Sequence, residues 1–119
     1  MRTLTLISCV MALMTLNACQ KPEARSLQGR ALHAPVLAES VQAQRLLARD
    51  QAETILAVHP GSEDAIIWLG RRTAYLGRYR EAIDIYTTGI GEHPESHRLR
   101  RHRGHRYISL RQFEAAIED

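Results

Sequence analysis

The chain repeats itself at an interval of 34 residues, and that interval restricts the fold more than any other feature. His59-Pro60 returns as His93-Pro94. At the same offset Ser62 meets Ser96, Gly70 meets Gly104, Arg72 meets Arg106, Leu76 meets Leu110 and Ile83 meets Ile117. Leu56 meets Ile90, Tyr79 meets Phe113, and Ala48, Ala82 and Ala116 form a series of three. A fixed period of this size marks stacked supersecondary units, each burying against its neighbour a face it cannot bury alone.

Within one period the residues write two helices. Ser62 is suited to cap a helix start, and Glu63 and Asp64 place negative charge at the positive end of the helix dipole. Ile66, Leu69, Thr73 and Leu76 follow helical spacing on one face, and Gly77 offers the left-handed conformation that ends a helix. A second helix then carries Tyr79, Ala82, Ile83, Tyr86 and Ile90 on one stripe, with Arg80, Glu81, Asp84 and Thr87 opposite. Gly70 and Ala82 are small enough to let the two helices approach closely, and Pro94 cannot continue a helix, so it marks the turn into the next unit.

The unit Glu63 to Ser96, with Leu69-Gly70, Leu76-Gly77, Tyr79, Ala82-Ile83, Tyr86, Ile90 and Pro94, resembles the tetratricopeptide repeat. It departs from that pattern at Ile66, where an aromatic is frequent, at Thr73, where Tyr is usual, and at Gly89, where Ala is usual. The expected fold class is therefore all-α, an incomplete array of antiparallel helix pairs of the tetratricopeptide-like α-solenoid type. Residues 37–62 make a partial unit, 63–96 a complete one and 97–119 a truncated one. The final helix begins at Phe113 and stops at Asp119 with an apolar face uncovered. This reads as a piece of a longer array; the alternative is a short chain that covers this face with a partner.

A different signal precedes the repeats. Met1-Arg2 is a short positive region, and Leu4 to Leu16 is an apolar run too short to span a bilayer, which takes about 20 residues, but long enough for the core of a signal peptide. Leu16-Asn17-Ala18-Cys19 then resembles the bacterial lipobox, which implies cleavage of residues 1–18 and acylation of Cys19. Asn17 departs from the small or hydroxyl residue usual there. An ordinary secretory signal cut at Ala18 is the alternative. Gln20, in place of Asp, implies sorting to the outer membrane under that family's rule, with the domain on the periplasmic face. Cys9 would leave with the leader, so the mature chain would hold one Cys and no intramolecular disulfide. Residues 19–36, with two Pro, one Gly and little periodicity, are expected to be a flexible tether.

No catalytic pattern stands out: there is no Gly-rich phosphate loop, nucleophile elbow, His-Glu-x-x-His or paired Cys. The expectation is a binding protein and not an enzyme, without cofactor or metal. Helix repeats could also be the accessory region of a longer enzyme. The conspicuous segment is His97 to Arg106, with five Arg and three His in ten residues. It reads as a solvated helix face, as one wall of a basic peptide groove, or as a site for a polyanion or metal. The tetratricopeptide resemblance implies that the first helix of each unit lines the inner wall, which places Asp64, Ile67, Arg71 and Tyr75 beside Arg98, Arg101 and His105. Guanidinium groups there would suit an acidic or C-terminal segment of a partner protein, although the Asn residues of the family's carboxylate-clamp version are missing. The net charge of +3 favours no particular partner, and nucleic acid is not expected outside the cytoplasm. Trp68 is open to two readings, one against the preceding helix and one as a half-exposed anchor for a ligand.

Overall fold

Two serines start equivalent helices. The backbone N–H of Ala65 donates to Ser62 Oγ (3.3 Å), and that of Leu99 donates to Ser96 Oγ (3.0 Å), so each serine satisfies one of the orphan donors of a first turn. In the computed structural model, which describes residues 21–119, the helices so started are α2 (Glu63–Tyr75) and α4 (His97–Ser109). The other elements are β1 (Ala24–Arg25), β2 (Ala31–Leu32), α1 (Glu39–Val58), α3 (Tyr79–Glu92) and α5 (Phe113–Glu118). The chain is thus mostly helical, with five helices among the described residues. None of these is long and apolar enough to cross a membrane. The leader and Cys19 lie outside the described residues.

Backbone conformation follows the sequence interval. His59 and His93 close α1 and α3 with φ −127° in both and ψ 66° and 69°. Leu76 and Leu110 close α2 and α4 with φ −82° and −90°. The next residue is left-handed in both places, Gly77 at φ 78° and Arg111 at φ 61°. Glycine accepts that conformation freely; a side chain bearing Cβ does not. The glycine expected to end α2 therefore does so. The second turn takes the same shape with an arginine.

α2 is the packing centre. It lies between α1 and α3 and also touches α4, while α4 packs on α3 and continues onto the short α5. Contact on three sides explains why seven of its thirteen residues are buried, more than one helical stripe would give. Ile66, Ile67 and Ala74 from α2 meet Ala82 and Tyr86 from α3 and Leu99 from α4 in one apolar cluster, flanked by Leu56, Tyr79, Ile85 and Ile90. Burying each of the larger side chains contributes about 1.5–3 kcal/mol. Two glycines set how close the helices come. A Cβ on Gly70 would run into the Tyr86 ring, ending 2.8 Å from its hydroxyl oxygen, and a Cβ on Gly89 would lie 2.7 Å from Ile66 Cγ2. Ile66 and Leu99 fill the space that a side chain at residue 89 would take.

The segment before α1 corrects one expectation. From Lys21 onward the residues expected as a flexible tether hold an antiparallel hairpin, with Ala24 opposite Leu32 and Arg25 opposite Ala31. Glu23 N–H donates to Leu32 O (2.8 Å) and Ser26 N–H to Arg30 O (2.9 Å), while Gly29 supplies φ 80° in the turn. Arg80 binds both the carboxylate and the carbonyl of Glu23, and Ala34 packs over Gly77, where an added Cβ would meet Ala34 Cβ at 2.5 Å. The hairpin is thereby pinned to the turn between α2 and α3.

The two left-handed positions make a paired test. Gly77→Ala should cost about 1–2 kcal/mol for the conformation alone, plus its collision with Ala34. Arg111→Gly should be neutral or stabilise by up to about 1 kcal/mol. Urea unfolding of both variants checks this; equal losses at the two sites would show that the turns are not equivalent.

Candidate functional site

Arg71 and Tyr75 stand one turn apart on α2, and Arg101 and His105 one turn apart on α4, so each pair shares a helix face. Because α2 and α4 touch, the two faces form one concave wall. It encloses about 410 Å³ lined by Arg71, Tyr75, Tyr86, Arg101, His102, His105 and Arg106. Tyr86 comes from α3, behind the wall. It reaches the cavity because Gly70 leaves room for its ring. The residue is only 1% exposed, and among the described residues its hydroxyl makes no hydrogen bond. Burial pushes that hydroxyl up to about 12, so it stays a neutral donor at physiological pH.

The other groups are held in place by one another. Arg71 Nη2 donates to Tyr75 Oη (3.0 Å), which draws the Tyr75 hydroxyl below its ordinary pKa. His102 stacks on Tyr86 with centroids 5.9 Å apart and meets His105 edge-on at 6.4 Å. The guanidinium of Arg71 also sits 4.5 Å from the centre of the Trp68 ring, and that of Arg72 lies 5.1 Å away. Trp68 is 45% exposed, its ring covered in part by these two guanidinium groups.

Several arginines elsewhere in the fold have carboxylate partners, while others, Arg25, Arg30 and Arg100 among them, stand at the surface without one among the described residues. Arg49 pairs with Glu53 (2.8 Å), Arg80 with Glu23, and Arg103 with Asp119 (2.5 Å). Among the described residues no carboxylate lies within salt-bridge distance of Arg71, Arg101 or Arg106. Three guanidinium groups thus face one cavity with no acid lining it.

The seven residues expected to form the inner strip divide into three groups. Arg71, Tyr75, Arg101 and His105 come together as described. Ile67 does not join them: it is 3% exposed and belongs to the core, because α2 is covered on three sides. Arg98 and Asp64 are at the far end and neutralise each other at 2.5 Å, with Glu63 a second partner of Arg98 at 3.1 Å. Ser96, the cap of α4, also donates to Glu63, so this cluster ties the start of α4 to the start of α2. Tyr86, His102 and Arg106 complete the wall although the repeat pattern alone did not assign them to it. The signal for Tyr86 was Gly70, the small residue beneath its ring.

Among the described residues no three His, Cys, Asp or Glu side chains gather as a metal site. A second depression of about 450 Å³ lies between α1 and α3. It is floored by Leu56, Ile66 and Leu69, with Glu53 and Glu92 also lining it, and it lacks the donors of the first.

Burial holds His102 below the ordinary histidine pKa, reinforced by Arg101, Arg71, His105 and Arg106. The unfolded imidazole takes up its proton near about 6.5, whereas the folded one does so only at lower pH. The folded state therefore binds fewer protons in that window. Its stability is complete above the unfolded value and falls as pH drops through it. NMR titration should give a His102 midpoint below that of a free imidazole, moving slightly upward in Arg71→Gln; a midpoint at or above the free value would show that the imidazole is not buried against Tyr86 as described.

Comparison with family models, with curated proteins and with solved structures returned no match.

Proposed function

We propose that this chain is a tetratricopeptide-type repeat protein, anchored by lipid in the bacterial envelope, that docks an acidic segment of another protein on the wall between α2 and α4. The observation that carries this reading is the set of unpaired guanidinium groups of Arg71, Arg101 and Arg106 around two tyrosine hydroxyls. A carboxylate brought there meets charge-assisted donors, of which Arg71 is already held by Trp68 and Tyr75 and Arg106 lies over the Tyr79 ring, so less freedom is lost on binding. Repeating helix pairs present an extended concave surface of the kind that grips a peptide along its length. The matching caps, turns and left-handed residues at the two successive units support the repeat assignment. The role is that of a scaffold or assembly factor, and the lipobox-like Leu16 to Cys19 supports an outer-membrane anchor with the repeats on the periplasmic face.

Two experiments test the two halves of this reading. Peptides ending in Asp or Glu, with free and with amidated C-termini, would be titrated against the chain by fluorescence anisotropy. Arg71→Ala combined with Arg101→Ala should weaken the free-acid peptides at least about tenfold, since each bond to a charged group is worth about 1.5–3 kcal/mol. Arg98→Ala should leave that affinity unchanged, because Arg98 is already held by Glu63 and Asp64. The reverse pattern would move the site to the opposite end of the helices. For the anchor, metabolic labelling with a palmitate analogue should mark the wild-type chain in the membrane fraction, and Cys19→Ser should abolish the label. A labelled Cys19→Ser chain would remove the lipobox reading.

A further inference from the structure

The hairpin of residues 23–32 ends in a turn, Ser26 to Gly29, whose Leu27 is 92% exposed. No neighbouring element covers this leucine, yet the strands on either side are held in register and pinned by Arg80 to the helices. Basic residues border it: Arg25 and Arg30 are exposed on either side of the turn, and Lys21 is exposed just before the hairpin. The acids at this end are partly accounted for: Glu23 is bound by Arg80, and Glu81 by Arg49 at 3.4 Å and Arg78 at 3.7 Å, leaving Glu39 at the start of α1 and Glu114 at the start of α5. The opposite end has the contrary character. Around the turn after α3 it gathers Glu63, Glu92 and Glu95, with Arg98 engaged by Glu63 and Asp64. The molecule is therefore electrically polar along its helices, positive where the hairpin sits.

Covalent geometry adds a second constraint. A chain advances at most about 3.5 Å per residue, so Cys19 cannot be more than about 14 Å from Glu23. Glu23 is fixed to Arg80. An acyl group on Cys19 would bring the bilayer surface within that distance of the hairpin.

We infer that the hairpin turn, with Leu27 flanked by Arg25 and Arg30 and with Lys21 at the hairpin's open end, rests on an anionic phospholipid surface and sets the orientation of the helices on the membrane. This inference rests on the lipid anchor at Cys19 proposed above. The exposed leucine enters the acyl boundary while the basic side chains stay among the headgroup phosphates, the arrangement by which an amphipathic tip lies in an interface. The attraction is electrostatic and depends on the charge of the leaflet. The α2–α3 and α4–α5 turns would then face the bilayer, since Gly77 and Ser109 border one shared cleft, and the acidic far end would point away from it.

The test uses the processed, acylated full chain reconstituted in vesicles of phosphatidylcholine alone or of phosphatidylcholine with phosphatidylglycerol. Flotation on the neutral vesicles measures the anchor by itself. Hydrogen exchange then measures the contact. Amides of Ser26 to Arg30 should exchange several-fold more slowly on the anionic vesicles than on the neutral ones, while those of Glu95 to Arg98 stay the same. Leu27→Ser with Arg30→Glu, side chains that make no hydrogen bond within the described part of the fold, should erase the difference without loss of flotation. A chain that floats on both vesicles with equal exchange at Ser26 to Arg30 overturns the contact and leaves the anchor standing. A chain that fails to float on neutral vesicles overturns both.

Discussion

The packing of Tyr86 over Gly70 is the contact on which the rest of this molecule depends. It lets α3 approach α2 closely enough to bury Ala82 and Ile66 in one cluster, and it leads the tyrosine hydroxyl through to the far side of α2. A side chain at residue 70 would separate the helices and close that opening at once. Core and candidate site are therefore coupled through the same ring: its edge packs the interior, its face stacks on His102, and its hydroxyl faces the cavity.

Charge is distributed with similar economy. Arg49, Arg80, Arg98 and Arg103 each hold a carboxylate and fasten elements distant in sequence: Arg80 the hairpin, Arg98 α4 to α2, and Arg103, in a largely buried pair, the end of the last helix to α4. The exposed pairs among these contribute about 0–1 kcal/mol apiece, so their chief effect is positional. Arg71, Arg101 and Arg106 are placed on the concave side without such partners. Burial chiefly lowers the His102 pKa, and the positive charges of Arg101, Arg71 and Arg106 add to that effect. Guanidinium groups crowded together repel. An anion arriving from outside would relieve the repulsion, so the site gains from binding what the fold itself does not supply.

Much of the local structure was legible in the residues. Ser62 and Ser96 announced helix starts, Gly77 announced a stop, and the interval between the two histidine-proline pairs located equivalent turns. The left-handed Arg111 was not legible alone, because nothing in an arginine signals positive φ; its position 34 residues after Gly77 does. The hairpin escaped because strands of two residues are too short to show alternation, and it is held by a long-range partner, Arg80. Ile67 was misplaced for a related reason. Helical spacing predicts the direction of an apolar face but not its width, and the width of α2 is set by having three neighbours. Arg98 lay on the expected strip by spacing, yet which arginines remain unpaired is decided by where Glu63 and Asp64 end up in space.

The most direct measurement follows the arginine side chains themselves. In a titration with an Asp- or Glu-terminated peptide, the side-chain Nε–Hε resonances of Arg71, Arg101 and Arg106 should shift together along one binding curve, while those of Arg98 and Arg103 stay in place. Shifts concentrated at Arg98 and Arg100, or confined to amides lining the depression between α1 and α3, would contradict the account.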